Sequence, residues 1–159
     1  MSVHTGIYRK DRALMRARTQ AAFDAIAKHP LVDAARTAMI GYCFGGSVGL
    51  EFGSTGAPLL LNVAIHGSFG GHEPGWAKNL KGTFLILHDA EDKGYSLATA
   101  VMPVVEELRT AKVPFQLEVY SGAGHGFYRP VGRDNERALA QSTASTTRML
   151  KEVFGGGGS

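Results

Sequence analysis

The chain has 159 residues, and its hydrophobic content of 44% and charged content of 19% fit a folded globular protein and exclude a disordered one. The net charge is only +3, and its densest basic region, residues 9–18, is diluted by apolar residues, which indicates a solvated helix face and not a nucleic-acid surface. The sequence holds no run of about 18 apolar residues, so no membrane-spanning helix is expected.

The first half of the chain alternates helical and strand patterns. Asp11 is a suitable cap for a helix over 12–28. The apolar side of this helix consists of Leu14, Ala21, Ala22, Ala25 and Ile26. A short apolar run predicts a buried strand at Thr37–Tyr42, followed by a helix over 45–52 and a second strand at Leu59–Ile65.

The second half continues the alternation after a glycine-rich loop at 66–80. A third strand is predicted over 83–87 and a mostly helical segment over 96–112, with Pro103 favouring a kink or a start near Met102. A fourth strand at Phe115–Tyr120 and a last helix over 135–154 complete the order. Continuous apolar strands that alternate with helices predict an α/β fold with about four parallel strands and flanking helices.

The ends of the chain and its cysteine content bear on domain and compartment. The N-terminus lacks the apolar run of a signal peptide. The lone cysteine, Cys43, cannot form an intramolecular disulfide, so a reducing, cytoplasmic setting is expected. Residues 155–159 read GGGGS, a flexible linker unit that resembles an engineering scar, so the domain is assigned to 1–154.

Chemistry-bearing residues follow three of the predicted strands. Cys43 follows the first, the cluster HDAED at 88–92 follows the third, and His125 follows the fourth. Because ligands gather at the carboxyl ends of parallel strands, these groups are expected at one edge, in the chain order nucleophile, acid, base. Asp92 is the preferred acid, with Asp89 and Glu91 as neighbours able to substitute for it.

The segment GYCFG at 41–45 matches the nucleophile elbow G-x-S-x-G with sulfur in place of oxygen. A sharp strand-to-helix turn places the nucleophile at positive φ, and glycines are expected two residues to either side because side chains there would clash. The helix N-terminus favours a thiolate at Cys43, and the backbone N–H of Phe44 is the expected oxyanion donor. A buried, purely structural cysteine is the competing interpretation.

Other polar and aromatic residues fall on the same edge. A zinc site from Cys43, His66, His88 and His125 has no short paired ligand spacing to support it, so no metal and no cofactor is expected, and His66 and His88 are interpreted as polar packing at strand ends. Phe69, Trp76 and Tyr95 are candidates for the walls of a substrate pocket, although satellite packing explains them equally well.

Several segments together resemble the dienelactone hydrolase family (carboxymethylenebutenolidases) of the α/β-hydrolase superfamily. They are IGYCFGG at 40–46, AIHGSFG at 64–70, LILHDAED at 85–92 and VYSGAGHGFYRP at 119–130, and the resemblance covers about residues 8–154. It implies Cys43 as nucleophile, Asp92 as acid and His125 as base, acting on esters or lactones. Arg129 falls where some members hold a substrate carboxylate, with an exposed surface charge as the alternative.

The sequence departs from the family pattern in two ways. Asp89 stands where the family usually has glycine, and the chain has no counterpart to the several strands with which members begin. That half normally supplies a second oxyanion donor. The chain therefore resembles the C-terminal portion of an α/β-hydrolase fold. Its first strand is left with an unpaired side, which is expected to recruit either a second copy of the chain or the N-terminal half of the fold.

Overall fold

A four-stranded parallel sheet organises the structure, a computed structural model that describes residues 3–129 and 131–155. Its strands are β1 (Thr37–Tyr42), β2 (Leu59–Ile65), β3 (Thr83–Asp89) and β4 (Phe115–Tyr120). Each strand pairs in parallel with the next one along the chain, in the order β1-β2-β3-β4. The predicted α/β class and the number of strands are confirmed.

Within residues 3–129 and 131–155, five α-helices accompany these strands. They are α1 (Val3–Lys10), α2 (Arg12–Ala27), α3 (Phe44–Ser54), α4 (Met102–Thr110) and α5 (Arg133–Gly155). The Asp11 side chain caps α2 by accepting a hydrogen bond of 2.8 Å from the Leu14 N–H, as predicted. One π-helical turn, Leu97–Val101, precedes α4, which starts at Met102 because Pro103 is tolerated only in the first turn of a helix. The helix α1 was not predicted.

Alternate residues of the two central strands pack into two apolar cores, one on each face of the sheet. In β3, Phe84 and Ile86 pack with Leu50 of α3 and with the apolar side of α4. Leu85 and Leu87 point to the other face. There they pack with the α5 residues Ala138 and Met149. Because both faces are covered, these strands carry apolar residues at nearly every position.

The register of the sheet brings the strand ends together. Tyr42 pairs with Ile65, Ile65 with Leu87, and Leu87 with Glu118. The residues that follow the strands therefore emerge at one edge, where the cysteine, the acid cluster and the histidine loop meet.

The strand β1 lies at the border of the described sheet. It pairs with β2 on one side only, and Ile40 and Tyr42 are 42% and 48% exposed. Gly155 is the last residue of α5, and the rest of the predicted linker, 156–159, lies outside the described residues. Within 3–129 and 131–155, no helix combines the length and apolarity needed to cross a membrane.

Candidate active site

Cys43 occupies a strained turn between β1 and α3. Its φ of 50° and ψ of −120° are rarely adopted by a residue with a side chain. Three backbone hydrogen bonds hold this turn. The Cys43 N–H donates to the Ile65 carbonyl at 3.1 Å, and the Cys43 carbonyl accepts from the N–H groups of Gly46 at 3.1 Å and Ser68 at 3.0 Å. The geometry is that of a nucleophile elbow.

The glycines around the elbow are not equivalent. A methyl group on Gly41 would overlap the backbone carbonyl of Gly45, and one on Gly46 would lie 2.9 Å from the Cα of Gly67. A methyl group on Gly45 itself would meet nothing within 4 Å. The expectation that clashes require glycine on both sides of Cys43 is therefore correct for Gly41 and wrong for Gly45, because the first turn of α3 faces open space there.

The carboxylate of Asp92 holds the ring of His125. The Nδ1 of His125 lies 2.7 Å from Oδ2 of Asp92, while Oδ1 of Asp92 accepts hydrogen bonds from the N–H groups of Gly94 at 2.8 Å and Tyr95 at 2.9 Å. Burial alone would raise the pKa of Asp92, but these hydrogen bonds, with that from His125 the largest, lower it below its usual value. Asp92 is therefore an anion that fixes the imidazole and leaves its Nε2 available.

Two histidines, not one, approach the thiol. Sγ of Cys43 and one ring nitrogen from each of His66 and His125 all lie within 4.8 Å of one another. Sγ of Cys43 lies 3.2 Å from Nδ1 of His66. The sequence pattern assigned His66 to polar packing at a strand end because no short paired ligand spacing pointed to a metal site. Its position directly after β2, the strand next to the elbow, is the signal that could have placed it beside Cys43.

His66 is fully buried in an aromatic setting. Its ring stacks on Tyr128 with centroids 5.2 Å apart and 19° between the planes, and it meets Phe127 edge-on at 5.2 Å. Burial, reinforced by the nearby His125, lowers the pKa of His66 to about 4. The imidazole beside the thiol is therefore neutral at pH 7.

The thiol of Cys43 is more strongly protonated than the helix N-terminus alone would make it. Burial raises its pKa above 9.0, and the carboxyl of Asp89 raises it further. The guanidinium of Arg129 and the backbone N–H of Phe44 act in the opposite direction. The expectation that the start of α3 favours a resting thiolate is therefore outweighed, and the cysteine needs a base to become a nucleophile.

The sequence and the structure were compared with known protein families and solved structures. Residues 1–154 match the dienelactone hydrolase family. The chain belongs to that family. A dienelactone hydrolase-like promiscuous phosphotriesterase from metagenomic libraries has 34% sequence identity and a TM-score of 0.83, and the alignment covers 92% of this chain. The structure of m3DLH has 31% identity and a TM-score of 0.85, with 94% of this chain covered.

The dienelactone hydrolase relatives are longer than this chain, which covers 64% of the phosphotriesterase and 65% of m3DLH. A more distant structure is MGS-M1, an α/β hydrolase enzyme from a Medee basin deep-sea metagenome library, with 18% identity and a TM-score of 0.69. The alignment covers 87% of this chain and 64% of MGS-M1, and it shows the shared α/β fold. The search of curated proteins found no match.

Of the three residues expected to bind substrate in this dienelactone hydrolase-family chain, two lie near Cys43 or His125. The ring of Tyr95 is centred 6.1 Å from that of His125. The guanidinium of Arg129 lies 5.6 Å from the ring centre of Tyr128. Trp76 lies on a 3₁₀ turn, and its ring is centred 5.7 Å from that of His72.

The acid alternatives Asp89 and Glu91 are placed differently from Asp92. Glu91 is exposed. Asp89 and its neighbour His88 are fully buried, and among the described residues no side-chain polar atom of either has a hydrogen-bond partner. Burial is the main reason why the pKa of Asp89 is raised and that of His88 is lowered. A buried acid therefore stands where dienelactone hydrolases usually have glycine.

One further residue at the site was missed. Arg9 of α1 places its guanidinium 5.0 Å from the ring centre of Phe44 and 5.5 Å from that of Tyr95, next to the expected oxyanion donor. No sequence pattern indicated this, because α1 itself was not predicted and its basic residues were assigned to a solvated face. A second guanidinium thus borders the site from the opposite end of the chain.

Proposed function

We propose that this dienelactone hydrolase-family chain hydrolyses esters or lactones with Cys43 as nucleophile, His125 as base and Asp92 as acid. One observation carries the proposal. Sγ of Cys43, on its strained elbow, lies within 4.8 Å of a ring nitrogen of His125, whose Nδ1 is 2.7 Å from Asp92. The proposed nucleophile thus lies near the base, and the base contacts the orienting carboxylate. This is the arrangement that acyl transfer requires.

The reaction would proceed in two halves. Nε2 of His125 removes the proton of the Cys43 thiol, and the sulfur attacks the carbonyl carbon. The resulting oxyanion is stabilised by the Phe44 N–H. Collapse of this intermediate breaks the ester bond, and the alkoxide leaves with the proton held by His125. Water, deprotonated by the same imidazole, then hydrolyses the thioester and restores the thiol. Because the pKa of this thiol is raised, the base is indispensable.

The charges around the site favour an acidic substrate. Arg129 is close enough to Cys43 to lower the thiol pKa, and Arg9 borders Phe44 from the other side. A carboxylate on the substrate would pair with a guanidinium at either position. We propose an ester or lactone that carries a carboxylate. Since Cys43 must stay reduced to act, a cytoplasmic setting suits this chemistry.

Hydrolysis of p-nitrophenyl acetate by the unaltered chain and by Cys43→Ala tests the nucleophile. The expected result is turnover that is lost in the variant, with a Cys43 thioester that hydroxylamine traps in the unaltered protein. Cys43→Ser is the matched control, because it keeps the elbow but replaces the sulfur. Equal rates in the unaltered chain and Cys43→Ala would refute the proposal, provided circular dichroism shows both to be folded.

A second candidate is a fold fragment that self-associates or needs the N-terminal half of the family fold, with little activity of its own. The exposed outer side of β1, with Ile40 and Tyr42 on a strand that pairs only with β2, favours it. It predicts a discrete dimer in light scattering that Ile40→Lys converts to monomer, or turnover that appears only when the N-terminal half of a relative is added. Turnover by a monomer without that half would exclude this candidate.

A further inference from the structure

Three soft ligand atoms converge at the end of the sheet. Sγ of Cys43 and one ring nitrogen each of His66 and His125 lie within 4.8 Å of one another, and the Sγ to Nδ1 distance of His66 is 3.2 Å. Sulfur with two imidazoles is a donor set that zinc prefers. We propose that Cys43, His66 and His125 form a zinc site with an open fourth position, which competes with hydrolysis.

The spacing suits a tetrahedral ion. Zinc–sulfur and zinc–nitrogen bonds of ordinary length place sulfur about 3.6 Å from nitrogen and two nitrogens about 3.3 Å apart. The observed 3.2 Å between Cys43 and His66 differs from this by a few tenths of an ångström. The two groups are also fixed, the cysteine by its elbow and the buried imidazole of His66 between Tyr128 and Phe127. His125 is the most exposed of the three, with 37% of its side chain accessible, and its ring is held by Asp92.

One of the two imidazoles also has the outer contact expected of a zinc ligand, whereas Nε2 of His66 is buried and has no hydrogen-bond partner among the described residues. Histidine ligands usually bond their other ring nitrogen to a carboxylate, which fixes the tautomer and the ring. Nδ1 of His125 makes this contact with Asp92 at 2.7 Å, so its Nε2 is the nitrogen left for the ion. The carboxylate that orients the base for hydrolysis would thus serve equally well to orient a metal ligand.

A neighbouring cluster, His88, Asp89 and Asp92, has similar spacing but a weaker case. Both oxygens of Asp92 are already engaged, by His125 and by the N–H groups of Gly94 and Tyr95. A cation there would have to displace these bonds, whereas the cysteine cluster has its Nε2 and its sulfur available.

Binding at the cysteine cluster excludes catalysis. The ion would hold Sγ as a thiolate and occupy Nε2 of His125, so neither the nucleophile nor the base would be free. Zinc would release the thiol proton on binding and would act as a reversible inhibitor that a chelator removes. The sequence gives no sign of this, because the three ligands follow three different strands and lie 23 and 59 residues apart along the chain.

Cobalt(II) is the spectroscopic probe for the test, with the metal-free chain under anaerobic conditions. The expected result is a thiolate-to-cobalt charge-transfer band, together with the visible bands of a tetrahedral site, both displaced by zinc. Cys43→Ala abolishes the charge-transfer band, and His66→Gln weakens zinc affinity at least ten-fold. His29→Gln, which alters an exposed histidine after α2, leaves the affinity unchanged.

X-ray absorption at the zinc edge of the unaltered protein decides the matter if His66→Gln fails to fold. One sulfur and two imidazole nitrogens around the ion support the site. The absence of a charge-transfer band, affinity that is unchanged in a folded His66→Gln, or a coordination shell without sulfur would each overturn it. These measurements need no substrate, so the zinc proposal and the proposed hydrolase activity can fail independently.

Discussion

Nδ1 of His66 lies 3.2 Å from Sγ of Cys43, and the two residues directly follow two different strands. The contact exists because Tyr42 of β1 lies opposite Ile65 of β2. Cys43 and His66, which follow these two residues, are therefore neighbours. A fully buried, neutral imidazole therefore lies against the Cys43 thiol, and its burial has a cost in stability that depends on pH.

That cost predicts an acid-sensitive stability. The pKa of His66 is about 4 in the folded chain against 6.5 for the free side chain. Between these values the unfolded chain binds a proton at His66 that the folded chain excludes. The contribution of His66 to the free energy of unfolding is therefore complete above pH 6.5 and is lost as the pH falls toward 4. The free energy of unfolding should drop over this window by about 3 kcal/mol more in the unaltered chain than in His66→Gln.

Urea unfolding at a series of pH values measures the difference. His29→Gln, the same substitution at an exposed histidine after α2, is the matched control. Parallel pH profiles for the unaltered chain and His66→Gln would contradict the prediction.

The two glycines that flank Cys43 should respond in opposite ways to alanine. Gly41→Ala forces a methyl group into the Gly45 carbonyl and should lower the free energy of unfolding by at least about 3 kcal/mol. Gly45→Ala meets open space in the first turn of α3 and should raise it by up to about 1 kcal/mol, because alanine loses less backbone entropy in a helix. Thermal unfolding of the pair, in parallel, checks both signs, and similar losses in the two variants would show that the elbow is not limited by the Gly41 contact.

The raised pKa of Cys43 predicts how the thiol reacts. The rate of iodoacetamide alkylation should rise with pH to a midpoint above 9.0. Asp89→Asn should lower that midpoint, because it removes the carboxyl that, after burial, contributes most to the increase. Glu91→Gln, an exposed neighbour, serves as control. A midpoint at or below 9.0 in the unaltered chain would be inconsistent with this account.

The position of Arg129 predicts a preference for anionic esters. If the unaltered chain turns over, Arg129→Gln should raise KM for the p-nitrophenyl monoester of succinate about ten-fold, because one charge-assisted hydrogen bond is lost. KM for neutral p-nitrophenyl acetate should stay the same. Steady-state kinetics on the two substrates measures both KM values. An equal change in KM for the two esters would show that Arg129 does not recognise the substrate carboxylate.

Apolar runs were sufficient to predict most of the sheet. The bounds of β1, β2 and β4 match the prediction because each run ends at a polar residue or a glycine turn. β3 extends to Asp89, two residues beyond its predicted end, since His88 and Asp89 are polar but fully buried. Hydrophobic patterning cannot detect a strand residue that is buried in spite of its charge.

Helix faces were harder to predict than strands. Ile26, assigned to the apolar side of α2, is 59% exposed, whereas Met15 is 3% exposed. The reason is that α2 packs mainly on α3, and a single neighbouring helix covers only a narrow stripe. At the site, sequence spacing brought Cys43 and Asp92 to the same edge, but it could not indicate that His66 would lie 3.2 Å from the sulfur.

The position of β1 at the border of the sheet has a dynamic consequence. An outer strand exchanges its amide hydrogens through local opening more readily than the strands beside it. Because the nucleophile elbow is the direct continuation of β1, fraying of this one strand would dissolve the geometry at Cys43 while β2, β3 and both apolar cores stay intact. Any polypeptide that adds a strand to β1 would therefore stabilise the turn at Cys43 without contacting Cys43, Asp92 or His125.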